Sequence, residues 1–263
     1  MSGWELLENL IRLLISGLII MGGPAQSECT DPKYFLDHVE SCRRITPVAS
    51  MLKTQVTPNK SLVMSTLGSS VTAGSGSTGV NKTWVNKLYE RLKKERGLEK
   101  LRYHNSGWGG YTTSRIVKEK KADVLIQQKP NVILFETCLL NDYGQNVPVE
   151  TTKKNIELII THLHTELPDS RIILQSPNPR LRGEAKNKEG LSYEDYIRQT
   201  EEFIKSKGWE YINIYDAMNK ELANLQTPLK DIMYDDAHPN DKGYDLWAKI
   251  LEMYFLTGKQ QWQ

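Results

Sequence analysis

Cysteine is scarce in this chain: three in 263 residues, Cys29, Cys42 and Cys138. They form no C-x-x-C pair and join no Cys/His cluster with zinc-ligand spacing, which argues against a structural zinc module. Cys29 and Cys42 can close a short loop as a disulfide if the protein is exported; otherwise they are free thiols. Cys138 sits in an apolar run, as a buried small hydrophobe does. An excess of one charge is also lacking. The 34 Lys and Arg balance 32 Asp and Glu, leaving a net charge of +2. Nothing in that balance favours nucleic acid, which calls for a basic patch or stripe.

Long apolar runs are missing too, with one exception. Residues 10–21 read LIRLLISGLIIM, follow the acidic Glu5 and Glu8, and lead into small, turn-forming residues at 22–27. The order of apolar stretch and small residues is that of a secretory signal. Arg12 interrupts the stretch, no basic region precedes it, and it falls short of the roughly 20 apolar residues of a full span. The reading is export or membrane anchoring through residues 10–21; the alternative is an amphipathic helix packed on the domain or on a partner. No other segment is apolar enough to span a membrane. No internal repeat or low-complexity tract is visible.

What is present is the composition of one soluble domain: 39% hydrophobic and 25% charged residues, with six Trp and twelve Tyr. The length fits one α/β domain with extras. Three parts are expected: the apolar segment 1–27, a connecting arm 28–60 without clear periodicity, and the main domain 61–263. Within that domain, short apolar runs alternate with amphipathic ones. Strands are expected at 61–67, 101–104, 131–136, 171–175 and 210–215. Helices are expected around 80–92 and at 113–128, 150–167, 193–207 and 241–255, with Gly97 and Gly208 as stops. The run NVILFE lacks polar alternation, as a strand buried on both faces does. Such alternation implies βαβ units, a mostly parallel five-stranded sheet and a three-layer α/β/α sandwich. Ligands of such folds bind beyond the C-terminal ends of the strands.

Reactive residue types cluster at those ends. After the first strand comes Gly68-Ser69-Ser70-Val71-Thr72-Ala73-Gly74. A serine in a strand-to-helix turn lifts its Oγ to the top of the sheet, though it needs a base to become nucleophilic. The segment lacks the lysine of a phosphate-binding loop. After the second strand comes Asn105-Ser106-Gly107-Trp108-Gly109-Gly110-Tyr111, where glycines permit close approach of the main chain, and Thr112 or Thr113 can cap the next helix. After the third comes Thr137-Cys138-Leu139-Leu140-Asn141-Asp142; an Asn amide is a neutral donor suited to an oxyanion, or alternatively an Asx turn. Before the last helix stands Asp235-Asp236-Ala237-His238-Pro239-Asn240. There Asp235 can accept from one ring nitrogen of His238 while the other faces a serine. Only five histidines exist in the chain.

These four segments together resemble the four blocks of the SGNH (GDSL-type) hydrolases, over roughly residues 61–256. The resemblance implies a flavodoxin-like SGNH hydrolase fold and a serine esterase. Carried over by position, Ser70 matches the nucleophile, Asp235 and His238 its activating pair, and Gly110 and Asn141 the oxyanion hole, with the Ser70 N–H as a third donor. No metal or organic cofactor is implied. Two positions depart from the family pattern: Ser69 replaces the aspartate of G-D-S, and Leu139 replaces the glycine of G-x-N-D. Neither change removes a catalytic group, and both alter the local turns.

The expected substrate is a small-molecule or glycan ester carrying a short acyl group such as acetyl, since no long apolar lid follows any strand. The loop 177–192 brings Arg180, Arg182, Lys186 and Lys188, either as an anion-favouring rim or as a solvated charged loop. Two other functions are alternatives: an O-acyltransferase using the same serine, and an inert carbohydrate-binding module that kept the fold, against which the intact set of five polar and glycine positions argues. Asn59 and Asn81 stand in N-x-[ST] glycosylation patterns.

Overall fold

The computed structural model of the chain describes residues 46–57 and 61–259. The apolar stretch at 10–21, the Cys29–Cys42 pair and the Asn59 pattern lie outside them. Among the described residues, no helix is long and apolar enough to cross a membrane.

Five strands form one all-parallel sheet: β1 (Leu62–Gly68), β2 (Leu101–Gly107), β3 (Val132–Glu136), β4 (Arg171–Gln175) and β5 (Glu210–Ile212). Their order is β2-β1-β3-β4-β5. Every residue of β3 is buried, as its unbroken apolar run requires of a central parallel strand. The chain runs from β1 outward to β2, then crosses back to β3 on the other side. The junction of β1 and β3 is therefore the switch point at which such sheets open a crevice.

Helices cover both faces. The long α7 (Val149–Glu166) packs on α4 (Thr113–Lys118), α6 (Leu139–Gly144) and α8 (Tyr193–Ser206). On the opposite face, α10 (Asp241–Thr257) packs on α3 (Trp84–Leu92), α9 (Ile214–Asn224) and α1 (Val48–Thr54). Trp84 and Trp247 stack between α3 and α10 with ring centroids 5.3 Å apart. Right-handed crossovers demand this division between faces. Part of the expected arm thus belongs to the core: Val48, Ala49 and Leu52 of α1 are buried.

Several elements differ from the sequence expectation. The helix expected over 113–128 is two: α4 ends at Lys118, and α5 runs over Asp123–Gln128. Lys120 takes a left-handed φ of 50°, and the amides of Lys120 and Lys121 fold back onto the carbonyls of Val117 and Ile116. That is a Schellman closure, normally signalled by Gly, made here by a lysine. The strand expected to 215 stops at Ile212 because Asn213 caps α9, its side chain accepting from the Asp216 amide at 2.9 Å. The short helices α2 (Ser70–Ala73) and α6 carry no periodic signal of their own. In contrast, Gly208 closes α8 as expected, with φ of 70°.

Candidate active site

The register of the sheet builds the site. Gly68 pairs with Gly107, and Leu67 with Phe135, so β1, β2 and β3 end side by side. Ser70 opens α2 immediately beyond β1 and is 6% exposed. A Cβ on Gly107 would lie 2.1 Å from the Ala73 amide nitrogen, so only glycine lets α2 rest on the end of β2. Asn105 fastens that contact. Its Nδ2 donates to the Thr72 carbonyl at 2.8 Å, and its Oδ1 accepts from the Gly107 amide at 3.0 Å and from Thr66 Oγ1 at 3.1 Å.

His238 Nε2 lies 3.0 Å from Ser70 Oγ. On the far side of the ring, Nδ1 lies 2.9 Å from Asp235 Oδ2 and 3.1 Å from Oδ1. Asp235 Oδ1 also accepts from the amides of Ala237 and His238, at 2.8 and 2.7 Å. Partial burial raises the Asp235 pKa, but the bonds from His238 and Ala237 outweigh it and hold the carboxyl below its ordinary value. The nearby Ser77 hydroxyl is engaged elsewhere, donating to the Gly74 and Gly79 carbonyls.

The loop bearing Asp235 and His238 is pinned on three sides. An isolated bridge pairs Met233 with Pro239, and Asn240 caps α10 through the amides of Lys242 and Gly243. Gly76 approaches the loop where a Cβ would stand 2.6 Å from the Pro239 carbonyl oxygen. From the third side, Asp236 receives the Arg180 guanidinium, the Arg182 amide at 2.8 Å and Arg182 Nε at 3.2 Å. Asn178 Nδ2 donates to the Ala237 carbonyl at 2.9 Å. Lys186 pairs with Asp195 at 2.9 Å. Three of the four cations in the loop 177–192 are thus engaged in ion pairs, and two of them clamp the histidine loop.

The two remaining predicted positions lie on adjoining segments. Gly110 is exposed with φ of 72°, and its carbonyl accepts from Gln145 Nε2 at 3.1 Å. Asn141 is half-buried in α6, and its Nδ2 donates to the Tyr111 carbonyl at 3.0 Å. The segments bearing Gly110 and Asn141 are therefore joined directly. Asp142 joins them a second time, accepting from the Thr113 amide at 2.8 Å and from the hydroxyls of Thr113 and Thr152 at 2.5 Å each. Thr112 caps α4, as the sequence suggests.

Sequence reasoning missed one group that touches two of these segments. Glu136, the last residue of β3, is fully buried. It accepts from the Ser69 amide at 2.7 Å, Thr72 Oγ1 at 3.2 Å and the Cys138 amide at 2.8 Å. Burial raises its pKa, against the lowering by these donors. A carboxylate ending an otherwise apolar strand was the available signal, because a buried charge needs partners.

A Ser–His–Asp chain of hydrogen bonds at the switch point of a parallel sheet is the arrangement by which serine hydrolases activate a hydroxyl. The comparisons agree with that class. The chain matches the GDSL-like lipase/acylhydrolase family over residues 66–246 and belongs to it. Comparison with curated proteins returns no match. Among solved structures, a GDSL-like protein from Parabacteroides merdae aligns with a TM-score of 0.62 at 16% identity, covering 78% of this chain and 99% of its own. A two-domain esterase active on acetylated mannans aligns with a TM-score of 0.61 at 23% identity, over 76% of this chain and 50% of its own. An acetyl xylan esterase aligns with a TM-score of 0.57 at 17% identity, over 73% of this chain and 98% of its own. The protein is a hydrolase of the GDSL-like lipase/acylhydrolase family.

Proposed function

We propose that this protein hydrolyses esters of short acyl groups, acetyl foremost, on a carbohydrate or similar small alcohol, through an acyl-enzyme on Ser70. The observation that carries the proposal is the continuous chain from Ser70 Oγ through His238 to Asp235, with contacts of 3.0 and 2.9 Å. His238 takes the hydroxyl proton as Ser70 Oγ bonds to the ester carbonyl carbon. Asp235 fixes the ring tautomer and stabilises the imidazolium. The amides of Ser70 and Gly110 and the Asn141 side chain receive the developing oxyanion. Breakdown breaks the ester C–O bond, and the alcohol leaves with the proton from His238. Water, deprotonated by the same ring, then releases the acid and returns the proton to Ser70.

Two observations support a short acyl group on a sugar. The surroundings of Gly109 and Gly110 are open, and the glycines bring main chain rather than apolar side chains to the site. Relatives of the same fold include esterases of acetylated mannan and of acetyl xylan. The test is hydrolysis of p-nitrophenyl acetate, p-nitrophenyl octanoate and acetylated manno- and xylo-oligosaccharides by wild type, Ser70→Ala and His238→Ala. The expected result is preference for acetyl, acetate release from the oligosaccharides, and loss of turnover in both variants. Variants as active as wild type overturn the mechanism; preference for octanoate overturns the substrate.

A further inference from the structure

Glu136 plays no part in the chemistry above, yet its carboxylate is the point where two segments of the site meet. Oε2 receives the Ser69 amide at 2.7 Å and Thr72 Oγ1 at 3.2 Å, so it holds the turn into α2 and the helix itself, on either side of Ser70. Oε1 receives the Cys138 amide at 2.8 Å, three residues before Asn141. Cys138 has a left-handed φ of 58°, a conformation that non-glycine residues adopt at a cost, and its bond to Glu136 anchors it there. Gly68 yields space to the same carboxylate, since a Cβ there would lie 2.8 Å from Oε2.

Packing alone does not explain this residue. A carboxylate with no exposure is expensive to bury, and an apolar side chain would fill the volume at less cost. What an apolar side chain cannot do is accept from amides on two different loops. Three donors and an acceptor-only group make a closed set. Asn105 holds α2 from its other side, through the Thr72 carbonyl.

We propose that Glu136 is a positioning residue, one carboxylate oxygen on each loop, that sets the placement of Ser70 relative to Asn141. This rests on the reading of Ser70 as nucleophile and Asn141 as oxyanion donor. Rate is sensitive to such placement: a shift of about 1 Å can cost about 10²-fold.

The test is Glu136→Gln, which keeps the shape but has only one acceptor oxygen. Either the Ser69 or the Cys138 amide then faces an NH₂ donor. On p-nitrophenyl acetate, kcat per titrated active site is expected to fall by about 10-fold or more with KM within about two-fold, and phosphonylation of Ser70 by a fluorophosphonate to slow in parallel. A merely structural role would lower the thermal midpoint and leave kcat per titrated site and the phosphonylation rate at wild-type values; that result overturns the proposal. If Glu136→Gln does not fold, Thr72→Val removes one of the three donors and is expected to lower kcat several-fold, with Thr72→Ser restoring it. Thr72→Val at wild-type kcat overturns the proposal equally. Ser70→Ala separates the two levels of the argument. If it retains turnover, the nucleophile reading fails and this inference with it. If it is dead while Glu136→Gln is unimpaired, only the positioning role fails.

Discussion

His238 Nε2 lies 3.0 Å from Ser70 Oγ, although 168 positions separate the two residues in the chain. The contact closes only because β1 ends at the sheet's switch point and the loop before α10 returns above it. The Asp235 carboxylate behind the ring makes the pair directional, since it accepts from Nδ1 and leaves Nε2 to the serine. Asp235→Asn keeps the shape but can donate to Nδ1 and favour the wrong tautomer. A drop in kcat of about 10⁴-fold is expected, with circular dichroism unchanged, from the loss of tautomer control seen in such triads. A loss of only two- or three-fold would mean that Asp235 does not orient the ring.

Asn141→Ala removes the side-chain donor beside Tyr111. If Asn141 serves as the proposed oxyanion donor, the expected loss is about 10²-fold in kcat, near 3 kcal/mol, with KM little altered, since such an interaction forms only as charge develops on the substrate oxygen. Steady-state kinetics on p-nitrophenyl acetate decides it. A rise in KM at constant kcat would place Asn141 in substrate binding instead.

Asp142 carries a pH signature. Burial raises its carboxyl from 3.8 to about 6, against hydrogen bonds from Thr113 and Thr152 that lower it. The folded value exceeds the unfolded one, so the native state binds more protons between the two. The stabilising contribution is complete below pH 3.8 and is lost as pH rises through about 6. At about 1.4 kcal/mol per pKa unit, the whole effect is about 3 kcal/mol. Urea unfolding of wild type and Asp142→Asn between pH 4 and 7 should show wild type losing stability relative to the variant as pH climbs. A difference independent of pH, or of opposite slope, contradicts this.

Arg180 and Arg182 both reach Asp236, but in different surroundings. The Arg180 side chain is 17% exposed and that of Arg182 is 79% exposed. Arg180→Ala leaves the Asp236 carboxylate half-buried without its closer guanidinium. It is expected to cost about 2–3 kcal/mol and to lower kcat by loosening the His238 loop. Arg182→Ala is expected to cost less than about 1 kcal/mol, as solvent-exposed pairs do. Thermal midpoints and kcat of both variants check the ranking, and equal effects would refute it.

Gly107→Ala is expected to damage activity more than Gly110→Ala damages stability. At position 107 the added Cβ meets main chain 2.1 Å away and must displace α2 and Ser70 with it. At position 110 nothing stands within 4 Å, and only the φ of 72° opposes the change. That strain amounts to about 1–2 kcal/mol. Phosphonylation rates and urea midpoints of the two variants test the contrast; a fully reactive Gly107→Ala protein would show that α2 does not depend on this approach.

The alternation of strands and helices, the parallel sheet and the four segments at its rim are legible in the amino-acid order, because periodicity and strand-end placement are local properties. β4 was legible at both ends, and Gly208 marked its helix stop. Local chemistry also marked Asp235 and His238, three residues apart. It could not mark the end of α4, where a lysine does the work of a glycine. Nor could it mark the cap that ends β5, because Asn213 sits inside an apolar run. The family resemblance points to Ser70, and the folded chain supplies the physical reason that this serine meets His238. Ser69, Ser70, Ser75 and Ser77 are equivalent as residue types, and only the register of α2 against β2 aims one of them at the ring. Tertiary structure alone decided the work of two charged residues. Glu136 looks like the tail of a buried strand, and Arg180 like part of a solvated loop, until the chain closes and each is left beside the one set of partners that can satisfy its charge. A buried charge is satisfied by groups close in space, and those groups here come from loops far apart in sequence.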